Sequence, residues 1–402
     1  MNSFTELSTD ILQKVYFGAL YEVAFAKKRS WFTNRIRRSN DGVKGFKVNM
    51  TFLTDYGWSW RPMSEFGYTP TGSKLDSEEQ YAELCCHAAA AQVTQKAILA
   101  TEGDVSRMGS ILDRSMKGLM ETFPYYIRNQ LWTPQTGILG QAVSKSGLVI
   151  TLDNVGLWNT NVLDRAKLFE PGMYVQVLDS NGDKRGNPIR IDAVNKTLGT
   201  ITVSSDPGIA DNDTFAMSDI AGLDDVYNTS MTGIFDVIDD DNTFQGVDRS
   251  AAAGAKFRAI VEHNSGTPRA MTHDLFANFF HKCFDPDFAF TRWEIVNEYW
   301  KDNLRSGVNF TPGGDFVDGF QYVQIGKTKL VEDEDADVDK VIVPDFKNMF
   351  LAERGQVESL FGQGWRQIPG RPFMEYPVVW WGQLIAEDCR YMGVLKDIGY
   401  TL

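Results

Sequence analysis

The chain has no run approaching the ~18 consecutive apolar residues that a membrane-crossing helix needs, so no transmembrane helix is expected. Its first thirty residues lack a basic region followed by an apolar stretch and a small-residue cleavage site, so no secretory signal is expected. Cysteine is scarce. Cys85 and Cys86 are adjacent, Cys283 and Cys389 stand alone, and no CxxC pair of zinc spacing exists. Reduced thiols in a cytoplasm are the plain expectation. Positive charge is in deficit, with 40 Lys and Arg against 53 Asp and Glu, a net of -13. That balance argues against a general nucleic-acid binder. Signature motifs are missing too: no GxSxG elbow, no GxxxxGK[ST] phosphate loop and no GxGxxG after a strand. His273 and His281 lie eight apart, wider than a helical i,i+4 metal pair. No constellation of nucleophile, base and orienting group emerges, so no catalytic, cofactor or metal residue is assigned and the chain is not expected to be an enzyme.

What is present is reach. The chain has 402 residues, 43% of them hydrophobic and 12% aromatic, enough for two or three domains. From Phe46 the large apolar residues fall on even positions: Phe46, Val48, Met50, Phe52, Tyr56, Trp58 and Trp60. Period two over that length predicts one extended strand with an apolar face, roughly 50 Å long at about 3.3 Å per residue. The polar, turn-rich segment that follows folds this arm back on itself. The return near Gln80 to Gln95 is Ala-rich, which favours helix by propensity. Pairing with the outgoing strand favours an extended chain to about Val93. Asp104 then opens a helix with apolar residues at Val105, Met108, Leu112, Met116, Leu119, Phe123, Ile127 and Leu131. Steps of three and four keep one face apolar over roughly 40 Å, with a kink expected at Pro124.

Elsewhere the pattern is mixed. A helix is expected over Thr9 to Ala26 and a strand over Leu148 to Leu152. Residues 158–218 alternate short strands with turns: Tyr174 to Leu178, SNGD, Ile189 to Val194, NKTLG, Thr200 to Val203. That rhythm predicts a small β-barrel or sandwich inserted in an α+β chain. Helices follow near Thr272 to Cys283, capped by Thr272, and near Thr291 to Leu304. Strands recur at Gln321 to Ile325, Val341 to Val343 and Pro377 to Trp381.

Charge is unevenly placed. Lys27, Lys28, Arg29, Arg35, Arg37 and Arg38 fall within twelve residues that hold no acid. This basic arm fits either an acidic partner or packaged nucleic acid, against the blander reading of a solvated helix end with surface ion pairs. Asp179, Asn181 and Asp183 alternate like a calcium loop, but Lys184 stands where glycine is needed and Arg190 where glutamate is, so a hairpin turn is expected. The acidic runs Asp236 to Asp241 and Glu332 to Asp339 could bind cations weakly, but such runs are more often solvated loops, and that is the expectation.

Taken in order, GFKVNM, RPMSEFGYTPTG, QVTQKAILAT, LDRSMKGLMETFPYYIRNQLW with TGILG, TGIFDVIDDDNTFQGVDRS, VDKVIVPDFKNMFLAE and YPVVWWGQLIAEDCRYMGVLKDIGY resemble segments of tailed-bacteriophage major capsid proteins of the Hong Kong 97-like fold. The resemblance covers most of the chain, though 158–218 adds little. It implies an N-terminal arm at 1–45 and an extended loop at 46–101. It implies a spine helix and peripheral domain at 102–157, an axial domain mainly at 219–345, and a peripheral and axial return at 346–402. It implies a virion shell subunit, assembled in the host cytoplasm into hexamers and pentamers of an icosahedral head around double-stranded DNA. Partners would be other copies, scaffolding and portal proteins, and a decoration protein. Packaged DNA would be met by non-specific contact only. Only about 45 residues precede the loop, too few for a scaffold-like prodomain. Tyr56, Trp58, Trp60, Arg61 and Lys74 would contact neighbouring subunits. Some members crosslink a loop lysine to a neighbour's asparagine; Lys74 and Asn348 lie near such places, but in no matching motif. The rivals are an encapsulin-type nanocompartment shell and, from another class, an enzyme whose β-rich insertion binds substrate.

Overall fold

A computed structural model describes residues 31–55, 62–65, 67–68, 76–94, 127–153, 166–218, 227, 229–284, 286–305, 322–337, 339–355, 358–359, 366–367 and 373–399. The expected helix at Thr9 to Ala26, the Pro124 kink and most of the helix from Asp104 lie outside them. Helix is described at 127–132, where Ile127, Leu131 and Trp132 are buried.

The arm is a hairpin. Lys47–Asp55 pairs antiparallel with Asp76–Glu83, in the register Lys47 to Glu83, Met50 to Gln80 and Phe52 to Glu78. Its root is docked. Val48, Ala82 and Leu84 pack with Phe350, Ala352 and Ile385 in a small core of their own. At Leu84 the return strand changes partner. Leu84 donates its N–H to the Phe46 carbonyl, and Cys85–Thr94 then pairs with the long strand Phe373–Ala386. The Ala-rich run is therefore extended. Ten residues of ladder and the alternate burial of Ala91 and Val93 outweigh alanine's helix propensity.

Phe373–Ala386 is the centre of one sheet. It pairs with Met349–Glu353, Glu358–Ser359 and Arg366–Gln367, and Arg37–Ser39 runs parallel to Met349–Glu353. A second, mixed sheet has the order Ile260–Glu262, Gly393–Leu395, Val341–Val343, Phe288–Thr291, Thr328–Glu332, Tyr322–Ile325. Two helices supply its apolar cover. In His273–Lys282 the Thr272 hydroxyl accepts from the Leu275 N–H, and Phe276, Phe279 and Phe280 are buried. Trp293–Arg305 adds Ile295, Val296 and Tyr299 to the same core.

A closed barrel is built from six strands in the order Thr200–Val203, Val149–Asp153, Ile138–Ser146, Thr214–Ser218, Tyr174–Leu178, Ile189–Asn195. Ile150, Leu152, Val175, Val177, Ile191, Ile201 and Phe215 fill it as a core separate from the others. Register shifts at Ala142/Ser144, Phe215/Ala216 and Thr202/Val203 supply the bends that closure requires. The expected boundary at 158 therefore has to move to Ile138. The hairpin over 138–153 reads locally as part of the preceding segment, but its ladder partners are the strands at 200–203 and 214–218.

Candidate assembly surfaces and the joint behind them

The basic stretch begins in the short helix Trp31–Arg35 and continues into the edge strand Arg37–Ser39. Phe32 and Ile36 point into the core, and Arg35, Arg37 and Arg38 are exposed. The Arg35 guanidinium lies 5.6 Å from the centroid of Phe288, and that of Arg37 lies 5.3 Å from the centroid of Phe350. These arginines lie over aromatic rings of the two sheets rather than trailing in solvent. Lys27, Lys28 and Arg29 fall outside the described residues, as do Tyr56, Trp58, Trp60, Arg61 and Lys74. Asn348 donates from Nδ2 to the Asp345 carboxylate at 2.7 Å within its own turn.

Phe46, first of the alternating apolar residues, stays 44% exposed while packing 4.5 Å from the Trp381 ring, with the Arg354 guanidinium 4.3 Å from its own. It marks the root of the hairpin, where the arm leaves the sheet. A second exposed aromatic pair, Phe284 and Tyr391, meets edge to face at 5.1 Å. Phe284 has φ of +60°, an unusual backbone state for a bulky residue.

The expectation of a solvated loop is overturned for the run Glu332 to Asp339 and holds in part for Asp236 to Asp241, where Asp240 and Asp241 are exposed. In Glu332 to Asp339, Asp333 is 1% and Asp337 0% exposed. The run is the joint of the molecule. Asp333 accepts the N–H of Phe32 at 3.1 Å. Asp335 pairs with Arg128 at 2.7 Å. Lys167 donates to the carbonyl of Asp335 and lies 3.7 Å from Asp337, which Lys340 pairs at 2.7 Å. The basic segment, the helix at 127–132, the approach to the barrel and the second sheet thus converge on one run of carboxylates. Burial pushes the Asp335 carboxyl up, while Arg128 and Lys167 pull it down.

The run Asp236 to Asp241 wraps a buried arginine. Arg249 donates to the carbonyls of Asp236 at 3.2 Å, Val237 at 2.9 Å and Asp239 at 2.7 Å, and sits over the Phe244 ring at 4.5 Å. Those carbonyls lie in and just beyond the short helix Ile234–Val237, where the Ile234 carbonyl accepts the Ile238 N–H and the Asp239 carbonyl also accepts the Ala259 N–H. At its start the Asp236 carboxylate accepts the N–H groups of Gly233 and Gln135, and burial lifts its pKa to about 6. A Cβ on Gly233 would sit 1.9 Å from the Thr133 carbonyl, so only glycine permits this approach to the end of the 127–132 helix. Neither Arg249 nor the burial of the acidic runs has a local sequence signal. Arg249 reaches back ten to thirteen residues to its carbonyls, and the carboxylates of 333–337 are met from as far as Phe32, Arg128 and Lys167.

Asp179 accepts the N–H groups of Asn181 and Asp183, a turn and not a cation loop. Among the described residues no group of three or more His, Cys, Asp or Glu could hold a metal. All four thiols are free, and burial pushes Cys283 and Cys389 up to about 12, where they stay protonated and unreactive. His273 Nδ1 is spent on the Tyr299 hydroxyl at 2.9 Å.

No known protein-family profile and no curated protein matches the chain. Solved structures do. The capsid asymmetric unit of cyanophage A-1(L) superposes with a TM-score of 0.50 at 10% identity, covering 94% of this chain and 92% of that one. The capsid of a native GTA particle gives 0.46 at 9% identity, covering 94% and 91%. The SrpI encapsulin of Synechococcus elongatus PCC 7942 gives 0.44 at 9%, covering 92% and 89%. The cyanophage match carries the conclusion: across nearly its whole length, the chain has the fold of a tailed-bacteriophage capsid protein.

Proposed function

We propose that this chain, folded as a phage capsid protein, is the major capsid protein of a tailed bacteriophage and self-assembles into hexamers and pentamers of an icosahedral head around double-stranded DNA. The observation that carries the reading is the superposition on a cyanophage capsid asymmetric unit over 94% of this chain. The form of the arm supports it. Among the described residues the hairpin's apolar core lies at its root, and Glu78, Glu79 and Tyr81 are exposed beyond it. Such an element gains by lying on a neighbour. Ring interfaces are head-to-tail, so each copy presents two different surfaces. Tyr56, Trp58, Trp60, Arg61 and Lys74 at the arm tip are proposed contacts on one of them. Lys27 to Arg38 is proposed to face the shell interior or a neighbour and to act in assembly rather than in reading DNA sequence. The barrel is proposed as an insertion on the capsid frame, and the helix ending at 132 as the end of the spine. Scaffolding, portal and decoration proteins are proposed partners.

Sedimentation and electron microscopy of the purified chain test the reading. Capsomers or closed shells are expected, and a monodisperse 45.2 kDa monomer under all conditions would overturn it. Particles from a lysate separate phage from nanocompartment: packaged DNA and a portal vertex in the first, enclosed protein cargo in the second. Purified subunit should bind DNA weakly, and only at low salt.

A further inference from the structure

The closed barrel turns an uncharged face outward. Ile138–Ser146, Val149–Asp153 and Thr200–Val203 lie side by side in it, and their registers fix which side chains share a surface. Ser146 stands opposite Val149, and Val149 opposite Thr202. Ser144 stands opposite Thr151, and Thr151 opposite Thr200. Residues directly opposite on a ladder point the same way. Ile150 and Ile201, which alternate with them along the strands, fill the barrel core. The two rows of three therefore form one outer face. Ser144, Ser146 and Val149 are exposed on it, and the three threonines are half-buried. None of the six is charged, in a chain where 23% of residues are.

One end of this face is apolar. Val143, the extra residue at the Ala142/Ser144 register shift, is 44% exposed, as is Leu148, and Val149 is 41% exposed. Leu148 and Gly147, the latter with φ of +62°, make the two-residue turn from Ser146 to Val149. Such turns are normally closed by glycine and small polar residues, so a leucine at the tip is out of place in an isolated copy. The side chains of the face rule out several kinds of ligand. They offer no cation for a phosphate, no carboxylate for a metal ion and no aromatic ring on which a base could stack. A second protein surface of the same character fits them. Charge says which one. Copies of a chain with net charge -13 approach each other against repulsion. In an isologous contact each residue lies near its own counterpart, so a charge there would face a like charge. A charge-free face is what that contact requires.

We infer that this barrel face packs against the same face of a second copy of the chain, sheet on sheet across a two-fold axis. The inference rests on the capsid reading and gives the barrel a task within it. Six small side chains fall well short of the roughly 1,200 Å² buried in a stable complex, so one pairing alone is weak. Repetition over a shell makes it count.

Mixing opposite charges tests it in the full-length chain. Ser144→Glu with Val149→Glu puts like charges together in every pair, and so does Ser144→Lys with Val149→Lys. An equimolar mixture of the two variants puts opposite charges there instead. Circular dichroism verifies folding, and shells are counted by sedimentation and microscopy at low and physiological salt. Each variant alone should cut shell yield at least about tenfold, most at low salt, where repulsion is least screened. The mixture should restore yield to within about threefold of wild type. Variants that each assemble like wild type would overturn the pairing while leaving the capsid reading intact. A mixture no better than the better variant alone would do the same, since the face would then meet some other surface. Wild type that forms no shells would overturn both. Should either variant unfold, single cysteines serve: Ser144→Cys, Ser146→Cys, Val149→Cys, Thr151→Cys, Thr200→Cys and Thr202→Cys, each in a Cys86→Ser background. Diamide oxidation of assembled shells should then give a disulfide-linked dimer at the position nearest the axis. No dimer at any of these positions would also overturn the pairing.

Discussion

Arg249 is the residue on which the most depends. It is 0% exposed and satisfies three carbonyls that close the Ile234–Val237 turn. Removing it strands the Asp236 and Val237 carbonyls at about 1–3 kcal/mol for each unsatisfied group, while the Asp239 carbonyl keeps the Ala259 N–H. Arg249→Ala should therefore cost about 3–5 kcal/mol, and Arg249→Lys should recover less than half, since an ammonium cannot reproduce the fork. Chemical denaturation measures both; a lysine variant as stable as wild type would show that charge alone suffices. Asp236, at the other end of the same turn, gives a pH prediction. Its folded pKa is raised from 3.8 to about 6 by burial. A raised folded pKa means that the native state binds the extra proton between those values. The contribution to stability is complete below pH 4 and is lost as pH rises through 6. Asparagine keeps an oxygen for the Gly233 and Gln135 N–H groups and never ionises. Asp236→Asn should thus gain on wild type as pH rises from 4 to above 6, by about 1–3 kcal/mol at most. A constant gap across that range would remove Asp236 as the titrating group.

At the scale of elements, what could be read in advance was what is local. The strands Tyr174–Leu178 and Thr200–Val203 and the Thr272 cap are set by alternation, turn residues and a single hydroxyl, all within a few positions. What escaped was partnership. Cys85–Thr94 is extended as expected, but its partner is Phe373–Ala386, nearly three hundred residues later, and not the outgoing arm strand. The acidic run at 332–339 looks solvated until Phe32, Arg128 and Lys167 arrive. The barrel is the same case with a practical consequence. Replacing 158–218 by a flexible linker would leave Ile138–Ser146 and Val149–Asp153 without ladder partners and would uncover Leu139, Ile150 and Leu152. That variant should aggregate. Replacing 138–218 removes the whole barrel core together and should leave soluble protein with the remaining sheets folded. Soluble yield and thermal melts of the two deletions measure the difference; equal behaviour would show that the barrel core is not a separate unit.

Across the whole molecule, the buried carboxylates of 333–337 decide whether the parts move as one. Arg128 comes from the helix at 127–132 and Lys167 from the approach to the barrel, so these two ion pairs also link modules, while Lys340 pairs with Asp337 within the run's own connection. Arg128 and Asp335 are 15% and 11% exposed at their side chains, buried enough that breaking the pair from one side leaves a poorly solvated charge. Arg128→Met alone should cost about 3–5 kcal/mol. Arg128→Met with Asp335→Asn should recover at least half of that, because the stranded carboxylate is gone. The double-mutant cycle isolates this coupling from the packing lost with either side chain. Shell yield supplies the second readout: the single variant should assemble poorly even where it is folded, and the double variant better. A double variant that is only as stable as Arg128→Met would mean that the arginine acts by filling space, and that the carboxylate run does not hold the modules together.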